Sequence, residues 1–377
     1  MAEPTARPVL VTGMDVVTGS GRGTTALAEA VFTGTAAFVP VDRFDTGARR
    51  AKLGAQLADV SDLLTELTGV VDGACTAAGL TAADRAATPL LFAGSSDRAA
   101  ARPDGRDRAE LAAGAIGARL AAATGLRQAL RSYTTACVAA STAAADAAAM
   151  IAAGRADRVV VAAGYLLEAD RFALFDSARA LASDGRMRPF GAGRKGMLLG
   201  DAVAAVVLES EASAAGRSAV PLARLTGWGR AGDAHHVSQP HPQGTGLARA
   251  IGLALRRAGL APGEVDYVNA HGTGTPASDL AESAALHRAL GPDAARVPLS
   301  SSKSVHGHTL EAAGLVELAV SVLTLTEGRL PVNAGRPEPD PACPVALVTE
   351  PRTAATRHVL SLNSAFGGAN TALLVSA

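Results

Sequence analysis

The chain has 377 residues and is 48% hydrophobic but only 3% aromatic, so a large core must be packed mainly from Ala, Val and Leu. Its 35 basic residues balance its 35 acidic residues. This balance argues against a basic nucleic-acid-binding face or a polybasic membrane patch.

The three cysteines, Cys75, Cys137 and Cys343, lie far apart and outside any CxxC pair. This pattern indicates a reducing compartment, with neither structural disulfides nor a zinc site. No apolar stretch reaches membrane-spanning length, and the start of the chain shows no export signal. We therefore expect a cytoplasmic protein without a membrane span.

The first predicted strand, residues 8–13, leads into the glycine-rich turn "TGSGRG" at residues 18–23. These glycines do not form the GxGxxG pattern of a dinucleotide site. None of the three tyrosines is followed four residues later by a lysine, as a short-chain dehydrogenase would require. A nicotinamide-dependent function is therefore disfavoured.

The first half continues with alternating helices and strands. Helical periodicity marks 24–34 and 55–80, a strand follows at 88–96, 98–108 reads as an exposed loop, and 109–126 as a helix. An alanine-rich helix after Cys137 is expected to end at Gly154. The apolar runs at 157–164 and 200–211 are typical of strands that are covered on both faces.

A small, polar linker at 212–221 separates this series from a second one. Strands are predicted at 222–233, 265–272, 297–303, 355–366 and 371–377, and helices at 244–260, 278–290 and 310–328. The alternation in both halves predicts an α/β fold with mostly buried sheets, divided into residues 1–212 and 213–377.

Chemistry-bearing residues recur where predicted strands end, which is where open α/β sheets place their sites. Cys137 follows "YTTA" and starts the alanine-rich helix; taken by itself, it fits a small core residue better than a catalytic one. His271 lies in "VNAHGTGTPASDLAE" and His308 in "SSSKSVHGHTLEAAG". The paired glycines of "NSAFGGAN", residues 363–370, would allow a close approach of the backbone.

Together these groups suit acyl chemistry. A cysteine at a helix N-terminus is expected to have a pKa lowered toward the thiolate. Neutral imidazoles can donate hydrogen bonds to a developing enolate, and backbone N–H groups can hold a tetrahedral oxyanion.

In the order Cys137, then His271 in "NAHGT", then Lys303 and His308 in K-x-x-x-G-H, the sequence resembles the β-ketoacyl-acyl-carrier-protein synthases. It is most similar to the elongating condensing enzymes of type II polyketide and fatty-acid synthesis. The likeness runs through nearly the whole chain and includes "RMRPFGAGRKGMLLGD" at 186–201. It implies a thiolase-like fold of two pseudo-repeated βαβαβ halves, stacked as α-β-α-β-α layers.

The resemblance also implies a mechanism. Cys137 would take an acyl chain from the phosphopantetheine thiol of acyl-carrier protein, and a malonyl-carrier protein would then lose carbon dioxide. His271 and His308 would stabilise the resulting enolate, which attacks the acyl-Cys137 carbonyl and lengthens the chain by two carbons.

Further roles follow by the same likeness. Lys303 would pair with Glu317 and orient His308, while Asp279 would support the His271 loop. Phe366 would contribute its backbone N–H to the oxyanion hole and act as a gate that swings to admit the extender, next to Gly367 and Gly368. These three belong to a segment one residue shorter than the family's usual form, and the loop at 94–111 is also short.

No bound cofactor and no metal site are expected, and the partners would be acyl-carrier protein and a second subunit. That subunit would be another copy of the chain or a chain-length-factor-like homologue. Two alternatives stay open: a non-elongating acyltransferase of the same fold, and a chain-length-factor-like partner. Retention of Cys137, His271, Lys303 and His308 favours the active, elongating subunit.

Overall fold

The structure, a computed structural model, describes residues 7–95 and 112–377. The predicted exposed loop at 98–108 and most of the short segment 94–111 lie outside the described residues. The strands are β1 Val9–Thr18, β2 Gly21–Arg22, β3 Val39–Pro40, β4 Leu53–Gly54, β5 Leu90–Ala93, β6 Ala129–Tyr133, β7 Arg158–Tyr165, β8 Ala202–Ser210, β9 Ala223–Gly232, β10 Tyr267–Asn269, β11 Pro298–Ser300, β12 Arg329–Leu330, β13 Ala346–Leu347, β14 Arg352–Thr353, β15 His358–Ser364 and β16 Ala369–Ser376.

Helices connect most of these strands. They are α1 Gly23–Thr33, α2 Leu63–Ala77, α3 Ala82–Ala87, α4 Ala113–Ala123, α5 Ala139–Ala152, α6 Ala169–Ser177, α7 Glu211–Gly216, α8 Thr245–Ala258, α9 Pro276–Leu290, α10 Lys303–His306 and α11 Ala313–Glu327. Short 3-10 turns lie at Ala136–Val138, Pro262–Glu264, Gly291–Ala295 and Leu310–Ala312.

Most strands belong to one large mixed sheet, with the order β13-β11-β10-β15-β16-β9-β1-β8-β7-β5-β6 and β2 beside β1. The strands of the two sequence halves occupy opposite ends of this order. They meet where β1 pairs antiparallel with β9, through Leu10 opposite Arg224 and Val11 opposite Ala223.

Helices α5 and α11 form the middle layer between the two halves of the sheet. Successive side chains of a strand point to opposite faces, so β8 contributes side chains to two hydrophobic cores. Ala204 and Val206 pack toward the α5 and α11 layer, whereas Ala205 and Val207 pack with α2 and α4. In the second half, α8 and α9 cover the outer face of β10, β15 and β16. These five layers confirm the predicted α-β-α-β-α stacking.

The middle helices cross closely because small residues face each other. A Cβ placed on Gly314 of α11 would lie 2.4 Å from the backbone nitrogen of Ser141 of α5. This separation is far shorter than a van der Waals contact, so only glycine fits there. The crossing brings the start of α5, just after Cys137, next to the start of α11, just after His308.

Some element boundaries differ from the prediction. Helix α2 begins at Leu63 because the Asp62 side chain accepts hydrogen bonds from the backbone N–H groups of Leu64 and Thr65. The segment interpreted as a linker holds helix α7, capped by the Ser210 hydroxyl. The division into residues 1–212 and 213–377 therefore falls inside a helix, and it stays a prediction.

Candidate active site

Cys137 lies in the 3-10 turn Ala136–Val138, two residues before α5 begins. The residue before it, Ala136, has a φ of 49°, in the left-handed region that side chains other than glycine rarely adopt. Strained backbone of this kind is concentrated at functional sites. The turn leaves Cys137 half-buried, with its side chain facing a pocket.

His308 is held against Cys137 by its own backbone. Its N–H donates to the Leu198 carbonyl at 2.7 Å, and its carbonyl accepts from the N–H of Gly200 at 3.1 Å. A Cβ on Gly200 would lie 2.0 Å from the carbonyl oxygen of His306, so this close approach requires glycine. These backbone contacts place His308 Nε2 3.0 Å from Cys137 Sγ.

His271 follows β10 on a turn that a buried carboxylate holds. Glu282 Oε1 accepts the N–H of His271, and Oε2 accepts that of Gly272, both at 2.7 Å. The rings of His271 and His308 lie edge to face, with their centroids 5.5 Å apart. In each ring Nδ1 is buried and has no hydrogen-bond partner, which leaves Nε2 as the nitrogen available to the pocket.

Asp279 fixes the next part of the same turn. Its Oδ1 accepts the N–H of Gly274 at 3.1 Å and its Oδ2 that of Phe190 at 2.8 Å. Arg194 lies 3.2 Å away, through Nε to Oδ2. The carboxylate therefore ties the His271 loop to the "RPFGAGR" segment.

Lys303 and Glu317 form a fully buried ion pair beneath the two histidines. The second carboxylate oxygen of Glu317 accepts a hydrogen bond from Asn363 Nδ2 at the end of β15. Lys303 Nζ thus donates to Glu317 and not to His308. Its influence on the histidines is electrostatic.

Both site histidines are neutral. Burial lowers the pKa of His271 and of His308 well below the usual 6.5, and the nearby charge of Lys303 lowers each pKa further. Neutral imidazoles keep one N–H as a hydrogen-bond donor without carrying a charge into the site.

The thiol differs from the expectation drawn from its helix. Burial raises the pKa of Cys137 to about 12, the carboxylate of Glu311 adds to this, and the charge of Lys303 opposes it. The desolvation of the thiolate therefore outweighs the stabilisation offered by the start of α5. The resting side chain is a thiol hydrogen-bonded to His308.

A pH series of alkylation checks this protonation state. Because the thiolate fraction rises about tenfold per pH unit below the pKa, the rate at which iodoacetamide modifies Cys137 should still climb between pH 8 and pH 10. Intact-mass measurement of the adduct follows the rate, and circular dichroism verifies the fold at each pH. A rate that levels off between pH 9 and pH 10 would show that the thiol has an ordinary pKa of about 8.5, and a plateau near pH 8 would show a lowered one.

Phe366 lies in a tight turn between β15 and β16. Gly368 N–H donates to the Ala365 carbonyl at 3.1 Å, and Gly367, with a φ of 84°, donates to the Val237 carbonyl at 2.8 Å. Phe366 is 52% exposed, and its ring centroid lies 5.9 Å from that of Phe175. The shortened segment is therefore a hydrogen-bonded hairpin turn at the rim of the pocket.

The pocket above Cys137 has a volume of about 460 Å³. His271, His308 and Phe366 line it together with Cys137, so the structure brings these four predicted residues to one cavity. Its other lining residues come from four parts of the chain: Phe175, Ala178, Arg179, Ala180, Lys195 and Met197; Ser238, Gln239 and Pro240; Thr273, Thr275, Pro276, Ala277 and Ser278; and Ser364 and Ala365. Within residues 7–95 and 112–377, no three His, Cys, Asp or Glu side chains are grouped so as to hold a metal ion.

Glu282 is the site residue that the sequence analysis missed. It follows Asp279 by three residues on α9, and residues three apart share a face of a helix. That spacing was the available signal. Burial raises the pKa of Glu282 to about 8, against the opposing effect of the two backbone N–H groups that it accepts.

Glu282→Gln should slow reactions that depend on His271. An amide has one acceptor oxygen, so one of the two backbone N–H groups would face an NH₂ group and the loop would shift. We expect malonyl-thioester decarboxylation to fall by about tenfold to a hundredfold, with acylation of Cys137 changed by less than about twofold. Glu264→Gln is the matched control, because that exposed carboxylate accepts the N–H of Ala261. Equal losses in both reactions would contradict the assignment.

Comparison with known proteins identifies the family. The description "Beta-ketoacyl synthase, N-terminal domain" matches residues 68–214, and "Beta-ketoacyl synthase, C-terminal domain" matches 222–335. The chain is 37% identical over 284 residues to "Nodulation protein E" of Rhizobium meliloti (strain 1021), which covers 72% of this chain and 68% of that protein. The chain belongs to the beta-ketoacyl synthase family. The predicted class of condensing acyltransferase is thereby confirmed.

Other members support the same placement. "3-oxoacyl-[acyl-carrier-protein] synthase 2" of Coxiella burnetii is 40% identical over 190 residues, 50% of this chain and 46% of its own length. The structure of "the ishigamide ketosynthase/chain length factor" matches with a TM-score of 0.91 and 28% identity, over 98% of this chain and 99% of that one.

A chain also matches in the structure described as a "type II PKS acyl-carrier protein in complex with its ketosynthase". The TM-score is 0.90, over 99% of both chains. At 23% identity, this last likeness shows the fold alone. None of the helices in the described ranges is long and apolar enough to cross a membrane.

Proposed function

We propose that this beta-ketoacyl synthase elongates acyl chains by decarboxylative Claisen condensation with malonyl-acyl-carrier protein, in type II polyketide or fatty-acid synthesis. The observation that carries the proposal is the convergence of Cys137 Sγ, His308 Nε2 and the His271 ring in one pocket. A thiol nucleophile beside two neutral imidazoles supplies both halves of such a reaction.

In the first half, Cys137 Sγ attacks the carrier-bound thioester. A new C–S bond forms, the carrier C–S bond breaks, and the thiol proton of Cys137 passes to the departing carrier thiolate, while His308 keeps its own proton on Nε2. The chain is then held as a thioester on Cys137. This covalent step divides one difficult reaction into two easier ones.

In the second half, malonyl-carrier protein loses carbon dioxide. The electrons of the broken C–C bond form an enolate, whose oxygen receives hydrogen bonds from Nε2 of His271 and of His308. The enolate carbon attacks the acyl carbonyl, and Cys137 leaves as a thiolate that takes a proton from water. Each imidazole donor is worth about 3 kcal/mol to the transition state.

The tetrahedral oxyanion of this step needs donors of its own. In the part of the chain that the structure describes, the backbone N–H groups of Cys137 and Phe366 donate to no carbonyl. Both residues line the same pocket. We assign these two groups to the oxyanion hole, with Gly367 and Gly368 providing the positive φ angles that shape the turn.

The proposed carrier protein approaches from the rim of the pocket. Arg179 and the exposed Lys195 line the mouth, where they can contact the phosphate of a phosphopantetheine arm. An arm that enters here reaches Cys137 between Phe366 and the His271 loop.

A second subunit is proposed at the β6 edge of the sheet. Among the described strands β6 pairs with β5 alone, and its Leu130 is 42% exposed. An open strand edge is a template for pairing with another chain. A copy of this chain or a chain-length-factor-like homologue could pair there, and native mass spectrometry after co-expression distinguishes the two.

Intact-mass analysis with acyl- and malonyl-acyl-carrier proteins tests the function. We expect an acyl adduct, mapped by peptide digestion to Cys137, and a product two carbons longer after malonyl-carrier protein is added. Prior alkylation with iodoacetamide should block both. An adduct that forms but is never elongated would favour the non-elongating acyltransferase, and no adduct at all would favour a chain-length-factor-like partner.

A further inference from the structure

Three buried polar atoms beside the nucleophile turn have no hydrogen-bond partner. They are Glu311 Oε2, Thr309 Oγ1 and the hydroxyl of Tyr165. The three residues are 3%, 0% and 4% exposed, so water does not satisfy these atoms from the surface. Buried polar groups are nearly always paired, so a group of unpaired ones at a functional site needs an explanation, and a bound ligand is one that fits there.

The three groups adjoin the nucleophile turn and lie outside the mouth pocket. The turn Leu310–Ala312 packs against both the Ala136–Val138 turn and strand β7, which ends at Tyr165. Cys137 packs against the apolar cluster that contains Tyr165 and Leu310. None of the three unpartnered groups lines the mouth pocket.

The carboxylate of Glu311 is fixed in place by an ion pair. Its Oε1 accepts from Arg171 Nη1 at 3.3 Å, and Arg171 Nη2 donates to Ser95 at 2.7 Å. Glu311 Oε2 is therefore an oriented oxygen with unused lone pairs. A carboxylate accepts hydrogen bonds and donates none, so the complementary group is a donor.

Given the proposed function, the position of these three groups determines which acyl chains Cys137 can hold. The carrier arm occupies the mouth, so a chain attached to Cys137 has to extend past the thiol toward the opposite side. A saturated chain would leave Glu311 Oε2 buried without a partner. A hydroxyl near the thioester would donate to that oxygen and could also bond to Tyr165 or Thr309.

We propose that Glu311, with Tyr165 and Thr309, forms a specificity pocket for acyl chains that carry a hydroxyl group close to the thioester. The simplest such substrate is a 3-hydroxyacyl chain. A reaction that reduces a β-ketoacyl thioester at its keto group must supply it. Sites built to bond a substrate hydroxyl discriminate strongly against analogues that lack it.

Loading rates of Cys137 test the proposal. Carrier-bound 3-hydroxyacyl and saturated acyl chains of equal length are offered separately, and acyl-Cys137 is followed by intact mass. We expect the wild type to load the hydroxylated chain at least about tenfold faster. Glu311→Leu, which removes the acceptor, should bring the two rates within about twofold of each other. Glu66→Gln should keep the preference, because that Arg22-paired carboxylate lies away from the nucleophile turn.

Equal loading of both chains by the wild type would overturn the specificity pocket while leaving the proposed elongation intact. A preference that persists in Glu311→Leu would also overturn it. Loading of neither chain would overturn the proposed function and this inference with it. Circular dichroism shows whether Glu311→Leu folds. If it does not, the wild-type comparison still tests the proposal, and so does Tyr165→Phe, which should reduce the preference for the hydroxylated chain.

Discussion

Replacing Cys137 with alanine should lower chain elongation by roughly four orders of magnitude or more, the scale seen when an enzyme loses its nucleophile. No other described thiol can take over, because Cys75 and Cys343 are 0% and 1% exposed and neither lines the pocket. Product formation from acyl- and malonyl-carrier proteins, measured by mass spectrometry, gives the rate.

The same variant should retain decarboxylation of malonyl-carrier protein. That step needs donors to the enolate oxygen, and His271 and His308 remain in Cys137→Ala. Cys343→Ala is the matched control and should elongate chains like the wild type. Elongation by Cys137→Ala above about 1% of the wild-type rate would contradict a covalent role for this thiol.

The general fold follows from local sequence. Alternating apolar strands and amphipathic helices predict a layered α/β protein, and the ends of those strands are where the site lies. The resemblance added the order of Cys137, His271 and His308. The distances between these three residues are set by tertiary packing. They depend on the close backbone approaches at Gly314 and Gly200, which only the folded structure reveals.

The protonation of Cys137 was wrongly predicted for a physical reason. The start of α5 is local and visible in the sequence, and it lowers a thiol pKa. Burial and the charge of Glu311 come from chain segments far away in sequence, and they have the larger effect. The same limit applies to Glu282, because a glutamate on a helix face is usually solvated, and its burial depends on how α9 packs against the His271 loop.

The short segment at Phe366 shows a further limit. The resemblance implied a gate that swings, which assumes a loop with freedom to move. In this chain the turn is hydrogen-bonded within itself and to Val237, while Asp233 N–H donates to the Gly368 carbonyl at 2.8 Å. A gating role for Phe366 stays a prediction, and motion there would first require these bonds to break.

Lys303→Met should destabilise the fold by about 3–5 kcal/mol, because it leaves the carboxylate of Glu317 buried without its countercharge. Both side chains are fully buried, and Asn363 would be the remaining donor to that carboxylate. Urea unfolding gives the free energy of unfolding. The double variant Lys303→Met/Glu317→Gln removes both charges and keeps an acceptor for Asn363, so it should recover a large part of the loss.

The pH dependence of this deficit distinguishes charge burial from lost packing. Burial already raises the pKa of Glu317, and the charge of Lys303 opposes the rise, so removing Lys303 raises the pKa further. A raised carboxyl pKa in the folded state means that stability is lost as pH rises above the unfolded value of about 4.3. Lys303→Met should therefore lie closer to wild type at pH 5 than at pH 8. A deficit that is constant over this range would show that packing, and not an unpaired charge beneath the histidines, accounts for the loss.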